Sequence, residues 1–194
     1  MGALPLKIRI PSPPARVGVA AEEDAWAAFE ALVRTRHADL RRFAIRLVGD
    51  AGGAEDALQE AYLKAYRALG GFRETNSGSQ AGWLYRIVYR TCLDELRRAR
   101  ARRTVSVEDV AEPVDPAAGP ERTTIVRASL SAALARLPAE ARAAVLLVDG
   151  HAFDYATAAE ILEVPRGTIA SRLSVARATL REALGDIEDR KSVV

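Results

Sequence analysis

Cysteine is almost absent: Cys92 stands alone in 194 residues. That excludes a disulfide framework and a zinc site built mainly on cysteine, and it is compatible with a reducing compartment. Histidine is nearly as scarce, with only His37 and His151. Two histidines form no ligand cluster, so no metal is expected. The sequence has neither a glycine-rich phosphate loop nor a credible nucleophile–base pair, so no enzyme and no cofactor is expected. No apolar run approaches the roughly 18–20 residues a membrane span needs. Aromatics are only 6%, and the net charge of +2 argues by itself for neither a nucleic-acid binder nor an acidic partner.

What is present favours helix. Hydrophobic residues make up 49% and charged residues 28%, enough to bury a core. Alanine, leucine, arginine and glutamate dominate, and arginine far outnumbers lysine. The length allows one large domain or two small ones, at roughly 100–200 residues each.

Residues 1–24 read as a flexible arm. Pro5, Pro11, Pro13 and Pro14 and interspersed basic residues prevent a secretory apolar core. Leu6 replaces the Ser or Thr of a myristoylation signal. Beyond the arm, charge is uneven. Residues 25–103 hold 15 basic and 9 acidic side chains. Residues 104–121 hold no basic residue and five acids: Glu108, Asp109, Glu112, Asp115 and Glu121. Pro113, Pro116, Gly119 and Pro120 also lie there, so 104–122 reads as an acidic spacer between two modules. The second module would span 123–185, with a tail over 186–194.

In the first module, Trp26, Phe29, Leu32, Val33, Leu40, Phe43, Leu47 and Val48 recur at helical spacing and predict a helix from about Ala25 to Val48. The run Gly49 to Gly53 is expected to stop it. A second helix, about Ala54 to Leu69, buries Leu58, Ala61, Tyr62, Ala65 and Leu69 and turns Glu55, Asp56, Gln59, Glu60, Lys64 and Arg67 outward. The segment Arg73 to Gln80 is a wholly polar surface loop. A third helix, about Ala81 to Arg103, stacks Arg86, Arg90 and Arg97 within about 40° of one another, with Trp83 and Tyr89 about 60° to either side. Cations bordered by rings suit unpaired nucleic acid, the guanidinium groups holding phosphates while the rings stack on bases. Arg97, Arg98, Arg100, Arg102 and Arg103 add a local field for a polyanion. Leu84, Val88, Cys92 and Ala99 face the core, and Cys92 is expected to be an inert buried thiol.

The second module opens with a helix over about Thr123 to Arg136. Another follows Leu137-Pro138-Ala139-Glu140 and ends at Gly150. Asp154 can cap a short helix from Tyr155 to Leu162. Glu163-Val164-Pro165 turns the chain into a last helix, about Arg166 to Leu184, with a core stripe of Ile169, Leu173, Ala176, Leu180 and Ala183. This is a helix-turn-helix arrangement. Its second helix offers Arg166, Thr168, Ala170, Ser171, Arg172, Ser174, Arg177 and Arg181 to duplex DNA. His37 and His151 read as a helix-surface and a turn residue. The fold class is therefore all-α, with two small helical domains.

These residues carry a resemblance. Gly49-Asp50, Ala54-Glu55-Asp56-Ala57-Leu58-Gln59-Glu60-Ala61-Tyr62-Leu63-Lys64-Ala65-Tyr66, Gly82-Trp83-Leu84-Tyr85-Arg86-Ile87 and Asp94-Glu95-Leu96-Arg97-Arg98 resemble region 2 of the bacterial extracytoplasmic-function (ECF) sigma factors. Leu137-Pro138-Ala139-Glu140, Tyr155-Ala156, Ala159, Val164-Pro165-Arg166-Gly167-Thr168-Ile169, Ser171-Arg172-Leu173 and Ala176-Arg177 resemble region 4. Together they cover about two-thirds of the chain in the family's order.

The resemblance implies an alternative sigma factor that docks on core RNA polymerase, recognises the promoter −35 and −10 elements and promotes strand opening. Asp56, Gln59, Glu60, Lys64 and Arg67 would meet the clamp helices of the largest subunit. The flap of the second-largest subunit is also an implied partner. Asn76, Ser77 and Gln80 would receive a flipped −10 base, and Trp83, Arg86, Tyr89, Arg90 and Arg97 would hold the opening duplex. Arg166, Thr168, Ser171, Arg172, Arg177 and Arg181 would engage the −35 element. The acidic spacer is similar to the connector that threads the polymerase channels. An anti-sigma factor, a cytoplasmic location and no membrane insertion are further implications.

The sequence departs from the family at Ala170, Ser174 and Val175, where a basic residue is common, so the −35 contact is expected to lean on Arg166, Arg172, Arg177 and Arg181, with shape readout outweighing direct base contacts. Residues Asp149 to Asp154 also differ from the commoner pattern. The alternative reading is an autonomous helix-turn-helix regulator that binds duplex operator without polymerase.

Overall fold

A computed structural model describes residues 20–68, 80–105 and 121–191, with side chains over 26–68, 80–102 and 128–185. Helix α1 spans Ala20–Val48. It begins five residues before the expected Ala25, because the alanine- and glutamate-rich stretch ahead of it has high helix propensity. Phe29, Val33, Leu40, Phe43 and Leu47 form one buried stripe, with Trp26, Leu32 and Val48 packed at its margins.

The glycine-rich junction is not simply a stop. Gly49 alone ends α1, at φ +85°, and its N–H donates to the Ile45 carbonyl at 2.8 Å. Asp50 then caps α2, Ala51–Arg67, its carboxylate accepting from the Gly53 N–H. Gly52 and Gly53 thus lie inside the first turn of α2. The cap overrides their low helix propensity and starts α2 three residues earlier than the expected Ala54. Ala54, Ala57, Leu58, Ala61, Tyr62 and Ala65 face inward; Leu69 lies outside the described residues.

Helix α3, Gln80–Val105, packs against both α1 and α2 to complete a three-helix bundle. Leu84, Val88 and Cys92 are buried as the periodicity predicts. Burial pushes the Cys92 thiol up to about 12, so it is an inert apolar group at neutral pH.

The second module contains α4, Glu121–Ala135, and α5, Ala139–Val145. A single π-helical turn, Leu146–Gly150, continues α5. Asp154 caps α6, Tyr155–Leu162, accepting from the Thr157 N–H at 2.8 Å. Glu163 then takes a left-handed conformation, φ 55°, and α7 runs from Arg166 to Lys191. Ile169, Leu173, Ala176 and Ala183 are its buried stripe. It extends past the expected Leu184.

The modules pack on each other: α3 lies against α6, and α1 lies against α5 and the π-turn. Their buried residues form one continuous cluster.

Candidate nucleic-acid interface

The cation–aromatic stripe of α3 is only in part an open surface. Tyr89 is only 5% exposed, and Glu140, Arg172 and Glu163 of the second module act electrostatically on its hydroxyl. Burial is the main cause that raises this phenol, and the two carboxylates add to it. Arg90 forks onto Glu163 at the turn between α6 and α7, its Nε donating to Oε2 at 2.9 Å and its Nη2 pairing with Oε1. Arg86 is half-buried, with its Nε lacking a partner among the described residues. Trp83 is half-buried too, its ring edge-on to Phe29 at 6.5 Å. The expectation that this stripe faces outward is therefore corrected for Tyr89, which is buried, and for Trp83 and Arg86, which are half-buried; Arg90 stays exposed although it is paired. Tyr89 and Arg90 meet the second module, because the helix periodicity that turns them away from their own bundle turns them toward α6, whereas Trp83 packs on Phe29 of α1.

Arg97 is exposed and pairs with Asp94 at 3.0 Å. The expected open arginine field at the end of α3 is likewise tempered by carboxylates. Arg98 donates to Glu60 at 2.8 Å, and Arg102 donates to Glu95 at 2.6 Å. Lys64 joins them, 2.9 Å from Glu60 and 3.6 Å from Asp94. The hydrogen bonds from Arg98 and Lys64 hold the Glu60 carboxyl down at about 2. Of the outer face of α2, then, Glu60 and Lys64 are tied into this lattice. Gln59 is half-buried, and Asp56 and Arg67 are exposed. Gln80 opens α3 in an exposed position; Asn76, Ser77 and the acidic spacer lie outside the described residues.

On α7 the six expected contacts divide. Arg166, Ser171 and Arg181 are exposed, while Thr168 and Arg172 are half-buried. Arg172 Nη1 is buried without a hydrogen-bond partner among the described residues. Arg177 forks onto Asp149, at 3.0 Å and 2.6 Å, and those bonds raise its pKa.

Sequence reasoning missed the groups that join the modules. Tyr85 Oη and His151 Nδ1 share a 3.1 Å hydrogen bond. Phe43, Tyr85, His151 and Phe153 form an edge-on aromatic knot, with the Tyr85 and Phe153 centroids 5.0 Å apart. Burial lowers the His151 pKa, so its imidazole favours the neutral form that can accept from the phenol. Arg142 crosses the seam and donates to the Leu47 carbonyl in the last turn of α1 at 2.9 Å, as well as to Ala135 and Leu137 within its own module. His37 is not a bare surface residue either, since its Nδ1 lies 2.9 Å from Tyr62 Oη. The one available signal was the atypical stretch Asp149 to Asp154, which holds His151 and Phe153.

Comparison with known proteins matches both modules. A family described as Sigma-70 region 2 matches residues 32–102, and one described as Sigma-70, region 4 matches residues 127–180. The ECF RNA polymerase sigma factor SigM of Mycobacterium tuberculosis is 42% identical over 158 residues, covering 81% of this chain and 78% of that protein. SigL of the same organism is 34% identical over 174 residues, covering 89% and 97%. Among solved structures, the sigma factor RpoE of Bartonella quintana, in complex with the anti-sigma factor NepR, superposes with a TM-score of 0.67. It is 29% identical, over 81% of this chain and 97% of that one. CnrH, solved with the cytosolic domain of CnrY, shares the fold at a TM-score of 0.62 and 23% identity, over 86% and 95%.

Proposed function

The chain belongs to the ECF group of RNA polymerase sigma factors, and from that membership we propose how its residues direct initiation. It is an alternative sigma factor that works with core RNA polymerase on promoter DNA. It performs no catalysis of its own; polymerase supplies the chemistry, and this chain supplies position and strand opening. Its place of action is the cytoplasm. No helix among the described residues is long and apolar enough to cross a membrane. An anti-sigma factor is a further partner, as RpoE, which shares this fold, is solved with one. The observation that carries the reading is the order of the two matches, region 2 and then region 4, along one chain. An autonomous regulator would need only the helix-turn-helix and leaves residues 32–102 without a purpose.

Individual roles follow from chemistry and placement. Asp56 and Arg67, exposed on α2, with Gln59, Glu60 and Lys64 beside them, form the docking face for the clamp helices. Asn76, Ser77 and Gln80 receive a flipped −10 base and offset part of an unstacking cost of a few kcal/mol. Trp83, Arg86, Tyr89, Arg90 and Arg97 hold the melted strands, and Arg166, Thr168, Ser171, Arg172, Arg177 and Arg181 engage the −35 element. Tyr89, Arg90 and Arg172 can do this only when the modules part, because the seam engages all three. Polymerase is the larger body that holds the modules apart along the DNA.

The test is run-off transcription from a promoter library with purified core enzyme. Addition of this chain is expected to redirect start sites. Unchanged start sites, with a gel shift on duplex DNA that needs no polymerase, would favour the autonomous regulator.

A further inference from the structure

Over its first half, six residues make the outward face of α7: Gly167, Ala170, Ser171, Ser174, Val175 and Ala178, all exposed. At about 100° per residue they form two adjacent rows, 167/171/175 and 170/174/178, opposite the buried Ile169, Leu173 and Ala176. None is charged. Val175 stands out at 66% exposure. A water-facing valine adds nothing to the core, and its β-branch lowers helix propensity, so the fold gives no reason for it.

Arg181 and Glu182 continue that face more than a turn beyond Val175, and the arginines nearer the start of α7 stand to the sides. Arg166, Arg172 and Arg177 lie roughly 90–130° from the middle of that face. Such positions suit the phosphate walls of a major groove rather than its floor. The Ser171 hydroxyl donates to the Thr168 carbonyl at 3.0 Å, so its proton is engaged within the helix. What the face offers the base edges is therefore mainly shape and methyl groups. Only thymine presents a methyl group in the major groove.

We propose that Val175 is the specificity-determining residue of the −35 contact and that its ligand is the 5-methyl group of thymine, with Ala170 and Ser174 giving the close approach. This deepens, and rests on, the reading of α7 as the promoter helix. Discrimination at that position comes from apolar contact instead of a guanidinium fork on guanine.

The experiment uses holoenzyme reconstituted from core polymerase and the full chain, on a promoter taken from the run-off library. Each thymine of the −35 element is replaced singly by deoxyuridine, which lacks only the methyl group. At one or more positions wild-type holoenzyme should lose about fourfold in closed-complex affinity, the worth of one buried carbon. Val175→Ala holoenzyme should already show that loss on thymine and lose nothing more on uracil. Val175 is solvent-facing, so the variant folds as wild type does. Uracil that binds as thymine does at every position, or that costs Val175→Ala as much as wild type, overturns the assignment while the sigma reading stands. Start sites that no library promoter redirects sink the sigma reading, and the assignment with it.

Discussion

The two modules hold the side chains proposed to meet DNA in opposite situations. In the first, Tyr89 and Arg90 are turned into the seam and engaged by the second module. In the second, the outward face of α7 is open, and its flanking Arg172 reaches the seam. An exposed arginine in a sequence is thus not one thing. Arg166 is exposed, Arg90 clamps one module to the other, and Arg177 braces α7 on Asp149. In this closed arrangement the face of α7 proposed to read duplex DNA is accessible, while in the stripe proposed to hold melted strands Tyr89 is covered and Arg90 is tied to the second module. On that proposal recognition can begin before opening, and strand capture waits for the modules to separate.

The largest test of this contrast is Tyr85→Ala. The ring is buried and touches Phe43 on one side and Phe153 and His151 on the other. Its loss should cost about 3–5 kcal/mol, by analogy with other buried aromatics. Chemical denaturation should then resolve two transitions instead of one, as the modules lose their shared core. A single transition of undiminished midpoint would show that the knot does not couple them.

Glu163→Gly is gentler and more pointed. Glycine suits the left-handed turn, so stability should move by less than about 1 kcal/mol. The Arg90 fork is nonetheless lost. Spin labels on α2 and α7 should report a broader, longer distance distribution, and an unchanged one would mean the pair does not hold the seam.

Acid should loosen the same seam. Burial depresses the His151 pKa below its ordinary value, with Arg42 and Arg46 helping and Asp39 opposing. The freed imidazole therefore takes up a proton first. The stabilisation is full above about pH 6.5 and is lost as pH falls through the depressed value. The inter-label distance should lengthen between pH 7.5 and 5.5, and His151→Gln should flatten that response.

The smallest effect is expected at Glu60, in the surface lattice that joins α2 to α3. Glu60→Gln should cost under about 1 kcal/mol at neutral pH. With a carboxyl held at about 2 against an ordinary 4.5, its contribution is present above pH 4.5 and fades as pH falls toward 2. Acid titration of stability in that window should be shallower in the variant, with inter-label distances unchanged.

Much was legible in the residues themselves. The stripe Phe29, Val33, Leu40, Phe43 and Leu47 announces α1, because a buried helix must repeat apolar residues near its own period. The Asp154 cap and the turn before Arg166 set out the helix-turn-helix, since caps act over three or four residues. The inert Cys92 was also readable, from its place on the apolar side of α3. Family phrases in the right order carried the function. The Gly49 to Gly53 run was misread as one stop, because a single capping carboxylate decides which glycines belong to the next helix.

Local periodicity states which side of a helix leaves its own bundle; it cannot state whether water or another module receives it. Arg90 and Glu163 are 73 positions apart, Tyr85 and His151 are 66, and Leu47 and Arg142 are 95. The sequence alone determined the helices, their core stripes and the family. Only the tertiary structure decided that Tyr89 is covered, that Arg90 is paired and that Val175 is left in the open. Pairings over such separations depend on how whole elements dock, and no local pattern encodes that.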